Sequence, residues 1–181
     1  KEALLQIEQQ KNLIEYHKCS QEIFLASVLA GETRSPGLIK TIEQILAHPL
    51  FRNEKNALSF DAKWIFFNAY STYYWCKADA AQSINYHKKL IELCETSPEH
   101  IKEKIINYVS ALQNMLSVYL RFRVNDEAAF FNTLNKLKQL PEQFPDKLSQ
   151  RMEMTLFVST MIPESNYYIN KGDFEEGSSL P

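Results

Sequence analysis

This chain contains only four glycines among its 181 residues. Tight β-hairpins usually depend on Gly or Asn-Gly turns, so this scarcity argues against an all-β fold. A glycine-rich phosphate-binding loop is hardly possible for the same reason. The G-x-S-x-G and H-E-x-x-H sequences of hydrolases and zinc proteases are also absent. The sequence therefore predicts a protein that is not an enzyme, with no catalytic residues and no cofactor.

Cysteine and histidine are few and scattered. The cysteines are Cys19, Cys76 and Cys94, and the histidines are His17, His48, His87 and His100. The cysteines are odd in number, lie within apolar helical patterns and form no C-x-x-C pair, which favours reduced side chains over a disulfide framework. No histidine has a partner at the spacing of a recognisable metal motif. We therefore expect no metal site and a reducing, cytoplasmic location.

Long hydrophobic runs and an excess of one charge are missing too. No segment approaches the run of about 18 apolar residues that a membrane-spanning helix needs. The formal net charge is −2, and both signs are spread along the chain. Neither a membrane nor a nucleic acid is therefore an expected partner. Hydrophobic residues make up 45% of the chain, which is enough for a real core.

An internal repeat is the clearest positive signal. Asp79, Asp126 and Asp173 are each 47 residues apart, and residues 79–98 and 126–145 are identical at eight of twenty positions. The identical pairs are Asp79/Asp126, Ala81/Ala128, Asn85/Asn132, Lys89/Lys136, Leu90/Leu137, Leu93/Leu140, Glu95/Glu142 and Pro98/Pro145. A fixed period of this size predicts a repeat architecture, in which each unit stacks on its neighbours.

Helical periodicity runs through the whole chain. We predict four long A helices that alternate with three shorter B helices. The A helices are expected over residues 2–30, 58–77, 101–124 and from 147 onward, and Asp146 is expected to cap the last of them. The B helices are expected to begin after Ser35, Asp79 and Asp126. They are expected to end near Pro49, Pro98 and Leu140. Pro163 must kink or restart the last A helix. Across the period, Tyr73, Leu120 and Tyr167 correspond, as do Trp75, Phe122 and Ile169.

The predicted core follows from the same pattern. It comprises Trp64, Phe67, Tyr70, Ile84, Leu90, Leu116, Leu120, Phe131, Leu134, Leu137 and Tyr167. The second A helix carries eight aromatic residues between Phe60 and Trp75 on nearly every side. Such a helix is usually buried between neighbours, although the aromatic residues could instead line a ligand groove.

At its turns the chain resembles the tetratricopeptide repeat. Residues 172–177 (Gly-Asp-Phe-Glu-Glu-Gly) are close to that family's turn, and Ala78-Asp79 and Asn125-Asp126 are weaker versions. The period departs from the family's 34 residues. The resemblance implies an all-α, right-handed superhelical solenoid of about three and a half helix-turn-helix repeats in one domain, 1–181. The repeats would cover about 1–50, 57–98, 101–145 and an incomplete 146–181, and the chain would be a fragment of a longer protein.

The resemblance also implies a concave groove built from the A helices. Carried over by position, the groove-facing residues are Asn68, Thr72, Trp75, Tyr119, Phe122, Arg123 and Asn166. This mixture of aromatic, amide and Arg side chains suits peptide recognition. The set of Lys and Asn residues with which some tetratricopeptide domains hold a peptide carboxylate is not reproduced, so carboxylate capture is not predicted. Arg121 and Arg123 could contact an anion, or simply place cations at the negative end of a helix.

The leading hypothesis is a non-enzymatic protein-interaction module or scaffold that binds a peptide or partner helix in this groove. The alternative is a ligand-responsive regulatory domain, a sensor of a peptide or small molecule attached to an effector domain. Self-association through the uncapped C-terminal repeat is a further alternative, because an uncapped solenoid end exposes an apolar face.

Overall fold

The computed structural model describes residues 2–30, 35–147 and 149–178. Helices account for nearly all of these residues, and no strand occurs among them, so the all-α prediction is confirmed. The α-helices are α1 (Glu2–Ala30), α2 (Pro36–Leu46), α3 (Phe60–Cys76), α4 (Ala80–Glu95), α5 (Pro98–Glu103), α6 (Ile105–Arg121), α7 (Glu127–Gln143), α8 (Gln150–Lys171) and α9 (Phe174–Ser178). Within the described ranges, none of these helices combines the length and apolarity needed to cross a bilayer.

The chain forms two compact units, Lys1–Leu93 and Cys94–Pro181. In the first unit, α1, α2 and α3 each pack against the other two. Tyr16 and Phe51 are fully buried at its centre, with ring centroids 5.2 Å apart in an edge-to-face arrangement. The hydroxyl group of Tyr16 donates a hydrogen bond to the carbonyl oxygen of Leu50 (2.7 Å), so the buried phenol is satisfied.

Helix α3 buries residues on more than one side, among them Phe66 and Phe67, and leaves its tyrosines half-buried. Tyr86 of α4 stacks on Tyr70 and Tyr74, with ring centroids 4.9 and 5.6 Å apart. Farther along α4, the Lys89 ammonium lies 5.4 Å from the ring of Phe67. Because later residues of α4 meet earlier residues of α3, the two helices are antiparallel.

In the second unit, α6, α7 and α8 each pack against the other two. Lys171 pairs with Glu127, and Lys138 pairs with Glu164. Because these pairs run in opposite directions along the two helices, α7 and α8 are antiparallel. Leu137 of α7 is completely buried at the centre of this unit.

The predicted core residues are all at least half-buried. Those fully buried are Phe67, Leu90, Leu116, Leu134 and Leu137. Those half-buried are Trp64, Tyr70, Ile84, Leu120, Phe131 and Tyr167.

Helices α3, α6 and α8 end in the same way, with a Schellman cap. A residue just beyond each helix has a positive φ: Ala78 (57°), Arg123 (50°) and Gly172 (77°). The next N–H donates back to the carbonyl oxygen of a tyrosine, in the pairs Asp79–Tyr74, Val124–Tyr119 and Asp173–Tyr168, each at 3.0 Å. These bonds satisfy carbonyl groups that the end of a helix leaves without partners.

Two of the three predicted Asp caps, Asp79 and Asp126, are confirmed as well. The carboxylates of Asp79 and Asp126 each accept a hydrogen bond at 3.0 Å from a backbone N–H, of Gln82 and Ala129 respectively. An N-cap side chain in this position satisfies one of the free donors at a helix start.

The middle turn is two residues longer than the other two, because Val124 and Asn125 separate Arg123 from Asp126. The helix ends therefore recur at 45 and 49 residues, although the Asp residues recur at 47. The predicted equivalence of Tyr73, Leu120 and Tyr167 across the repeats is therefore wrong where the helices end. The equivalent tyrosines there are Tyr74, Tyr119 and Tyr168.

Several predicted helix boundaries are also wrong. Pro98 does not close the preceding helix but begins α5, where Pro is well suited to the first helical position. Lys104 has a non-helical backbone (φ −132°, ψ 51°) and divides the predicted helix 101–124 into α5 and α6. The last long helix begins after Ser149, not after Asp146, because the Ser149 hydroxyl accepts from the Met152 N–H at 3.2 Å. Helix α7 continues through Pro141 to Gln143.

Pro163 lies inside one continuous helix, α8, and is buried. The structure thereby decides between the two outcomes that the sequence left open: α8 continues through Pro163 and does not restart there.

Candidate functional site

The predicted groove residues divide between the two units. Asn68, Thr72 and Trp75 lie on α3 and are half-buried. Tyr119, Phe122 and Arg123 lie at the C-terminal end of α6, and Asn166 lies on α8. Of this second set, Tyr119 is 4% exposed, Phe122 is half-buried, and Arg123 and Asn166 are exposed.

A cavity of about 130 Å³ opens in the second unit, between the C-terminal ends of α6 and α8 and the N-terminal end of α7. Its lining residues are Tyr119, Leu120, Arg123, Val124, Asn125, Asp126, Glu127, Phe130, Tyr167, Asn170 and Lys171. Two predicted groove residues, Tyr119 and Arg123, are thus brought together here. Phe122 and Asn166 do not line the cavity.

The floor of the cavity is aromatic. Phe130 is 1% exposed and stacks on Tyr167, with ring centroids 4.6 Å apart and planes 21° from parallel. Tyr119 meets Phe130 edge to face at 6.4 Å. Burial, and secondarily the negative charge of Asp126, raises the pKa of Tyr119, so its phenol stays protonated at neutral pH. The floor is therefore an uncharged surface formed by three helices.

Three of the four charged residues at the rim already have partners. The Lys171 ammonium lies 2.5 Å from the Glu127 carboxylate and 4.9 Å from the centroid of the Tyr167 ring. The hydrogen bond with Glu127 is the main cause of a raised pKa for Lys171, and Lys171 in turn lowers the pKa of Glu127. The Asp126 carboxylate caps α7.

Arg123 is the exception. It is exposed, and among the described residues its guanidinium has neither a hydrogen-bond partner nor an ion-pair partner. Its position is fixed by the backbone, because the φ of 50° and the bond from its N–H to the carbonyl oxygen of Leu120 (3.3 Å) belong to the Schellman cap. A five-donor group without a partner is therefore held at the mouth of an apolar cavity.

Arg121, the other cation at this end, is the last residue of α6 and lies 6.0 Å from the ring of Phe122. Its position agrees with the expected placement of cations at a helix C-terminus.

The sequence reasoning missed Phe130, Tyr167, Asn170 and Lys171 as site residues. The sequence does contain a repeat that marks Tyr167 and Lys171. Tyr73 and Lys77 have the same four-residue spacing and lie 94 positions earlier in the chain. Both lysines lie over the tyrosine ring, at 5.3 Å in the first case and 4.9 Å in the second. Both also pair with a glutamate of the preceding B helix, Glu43 for Lys77 and Glu127 for Lys171.

Over residues 2–30, 35–147 and 149–178, no three His, Cys, Asp or Glu side chains come together as metal ligands. What the cavity can do chemically is to take up an apolar group and to place an anion beside Arg123.

Comparisons with known proteins identify no relative. No protein-family model, curated protein or solved structure matches this chain.

Proposed function

We propose that this chain is a non-enzymatic protein-interaction module that binds a peptide or partner helix on its A helices. The observation that carries the proposal is the cavity of the second unit, which has an aromatic floor and an unpartnered guanidinium, that of Arg123, at its rim. Interfaces are built around such apolar anchor pockets, and Arg is enriched beside them.

The proposal includes a tetratricopeptide-like, right-handed solenoid as the scaffold. Three observations support this scaffold: the same Schellman cap at the ends of α3, α6 and α8, the repeated Tyr–Lys–Glu contact, and the mutual packing of three successive helices within each unit. In repeat proteins in general, each repeat buries the apolar face of the neighbouring repeat.

The size of the cavity favours a peptide over a metabolite. Small-molecule sites usually enclose about 300–1,000 Å³, whereas this cavity encloses about 130 Å³. An apolar protein cavity of about 150 Å³ holds one benzene molecule. The cavity therefore fits one side chain of the size of Leu or Phe. A sensor of small molecules remains the alternative function.

The charge at the rim of the cavity indicates which kind of ligand residue lies next to the apolar side chain. Glu127 and Lys171 neutralise each other, so Arg123 is the group that is free to bind. A guanidinium forms its strongest hydrogen bonds with carboxylates. The ligand in this proposal is a peptide segment in which an acidic residue lies close to a large apolar residue.

The test is to select random 12-residue peptides displayed on phage against the chain and to measure their affinities by calorimetry. Two variants probe the site: Arg123→Gly removes the guanidinium at a backbone position that suits Gly, and Asn170→Trp puts a large ring at the exposed mouth of the cavity. The matched control is Arg151→Ala, which removes an exposed cation of α8 that does not line the cavity.

We expect selected peptides to combine an acidic and a large apolar residue, and each site variant to weaken them at least about tenfold, or about 1.4 kcal/mol. Arg151→Ala should bind as the parent chain does. Because Arg123→Gly is expected to stabilise the fold, weaker binding by that variant could not be ascribed to unfolding. Peptides that bind equally well to both site variants would refute the proposed site. Failure to select any peptide would favour the small-molecule sensor.

A further inference from the structure

Helix α9 presents a phenylalanine between two acidic residues. Phe174 is 68% exposed, and its neighbours Asp173 and Glu175 are exposed as well. Among the exposed large apolar residues of the described chain, Phe174 is the one that has an acidic residue at both neighbouring positions. The segment therefore has the composition proposed above for the ligand of the cavity, a large apolar side chain beside a carboxylate.

The backbone holds this segment outside the cavity of its own chain. The Asp173 N–H donates to the carbonyl oxygen of Tyr168 at 3.0 Å, and the Gly177 N–H donates to that of Asp173 at 3.2 Å. A Cβ atom at Gly177 would lie 3.3 Å from the Cβ atom of Tyr168, so α9 packs closely against α8. Phe174 does not line the cavity. Its exposed ring is therefore accessible to another molecule.

The segment and the cavity lie next to each other on one surface. Lys171 belongs to the rim of the cavity, and Phe174 follows it by three residues across the turn at Gly172. Two copies that face each other about a two-fold axis can therefore exchange these segments, so that each copy gives one and receives one. An interface of this kind uses the same surface on both copies and closes at a dimer.

We propose that the cavity binds a second copy of this chain, with Phe174 of each copy in the cavity of the other and with Asp173 or Glu175 paired with Arg123. The inference rests on the proposed function, because it names the partner of the same site.

The chemistry of the segment matches that of the cavity. The Phe174 ring would meet the aromatic floor formed by Phe130 and Tyr167, and aromatic pairs stabilise a contact beyond the burial of their area. At the rim, a carboxylate can accept two parallel hydrogen bonds from the Arg123 guanidinium. Because a carboxylate offers about four acceptor sites, bonds within its own chain leave sites for Arg123.

Position in the fold separates Phe174 from the two other exposed phenylalanines of the described ranges. Phe24 and Phe157 have apolar residues at both neighbouring positions and lie within the long helices α1 and α8. A helix with its side chains is about 10–12 Å wide, so a ring within a long helix brings that whole cylinder to the mouth of the cavity. Phe174 is the first residue of the five-residue α9 and follows a turn.

The exposed area of the ring predicts weak association. An aromatic side chain buries about 150–250 Å², so the 68% that is exposed leaves about 100–170 Å² for each copy to bury. A stable specific interface buries about 800 Å² on each partner. We therefore expect a reversible dimer rather than a permanent one.

The test is sedimentation equilibrium of the 181-residue chain from about 5 µM to about 1 mM. Phe174→Ala removes the ring that each copy gives, and Arg123→Gly removes the guanidinium of the cavity that receives it. Phe174→Leu keeps a side chain that fits the cavity. The matched control is Phe24→Ala, which removes a similarly exposed ring (70%) from α1. Circular dichroism verifies that all variants keep their helices.

We expect the parent chain, Phe174→Leu and Phe24→Ala to dimerise with rising concentration. Phe174→Ala and Arg123→Gly should each weaken dimerisation at least about tenfold, because each removes a central contact. A parent chain that is monomeric over the whole range would overturn the proposal. So would a dimer that survives Phe174→Ala or Arg123→Gly, or one that is lost with Phe24→Ala.

Calorimetry with the phage-selected peptides on the parent chain separates this inference from the proposed function. Peptides that bind a chain which stays monomeric would refute the dimer and leave the interaction module intact. A monomeric chain for which no peptide can be selected would refute both. If the dimer forms, a selected peptide should dissociate it, because the peptide and Phe174 compete for one cavity. A dimer that persists at saturating peptide would contradict the shared site.

Discussion

The three Schellman caps allow a sharp test of backbone strain, because one geometry is occupied by three different residues. Ala78 and Arg123 adopt left-handed backbone angles that disfavour a residue with a Cβ atom, whereas Gly172 adopts them without that cost. We predict that Ala78→Gly and Arg123→Gly stabilise the fold. Gly172→Ala should destabilise it.

The magnitude follows from two opposing terms. A left-handed residue with a Cβ atom costs about 1–2 kcal/mol, and Gly loses about 0.5–1 kcal/mol more backbone entropy on folding. The net gain for Ala78→Gly is therefore about 0.5–1 kcal/mol, with a loss of the same size for Gly172→Ala. A Cβ atom at Gly172 would meet no atom within 4 Å, so its loss would measure backbone strain without a steric clash.

Urea unfolding followed by circular dichroism at the helical minimum measures these changes. For a chain of this length, 1 kcal/mol also shifts the melting temperature by about 2–4 °C. Ala26→Gly is the matched control in the same unit as Ala78, because it lies inside α1, where Gly should cost about 1 kcal/mol. If Ala78→Gly destabilised the chain as much as Ala26→Gly does, the left-handed cap at Ala78 would be refuted.

Three further predictions concern the interior. Leu90→Ala and Leu137→Ala remove side chains that are 1% and 0% exposed, and each should cost about 2–5 kcal/mol in urea unfolding; a loss below about 0.5 kcal/mol would contradict their core positions. Lys138 is 44% exposed, so Lys138→Ala, which leaves the buried Glu164 carboxylate without this partner, should cost about 1–2 kcal/mol. Adding Glu164→Leu should recover most of that loss, and an unchanged urea midpoint in the single variant would show that the pair is dispensable. Burial lowers the pKa of His87 below 6.5. Stability should therefore fall as the pH drops below about 6.5, because the unfolded chain takes up a proton there and the folded chain does not. His87→Gln should show no such fall in stability between about pH 6.5 and 5.

The helical class of this protein and two of its helix caps were determined by the sequence alone. Glycine scarcity and helical periodicity led to an all-α fold, and Asp79 and Asp126 cap helices as their sequence context predicts. These features depend on residues within about four positions of one another, so local rules suffice for them. Leu90 and Leu137 could also be placed in the core, because an internal repeat marks positions that the same packing constrains twice.

Only the tertiary structure decided where the helices break and which side chains meet. No local signal separated α5 from α6 at Lys104, and Pro163 was compatible with either a broken or a continuous α8 until its neighbours were in place. The cavity is assembled from the ends of three helices, and its rim pair, Glu127 and Lys171, is 44 residues apart in the chain. Such contacts depend on how helices pack in space, which no short stretch of sequence specifies. The sequence could therefore suggest Arg123 as a groove residue, but it could not show that the Arg123 guanidinium has no partner among the described residues.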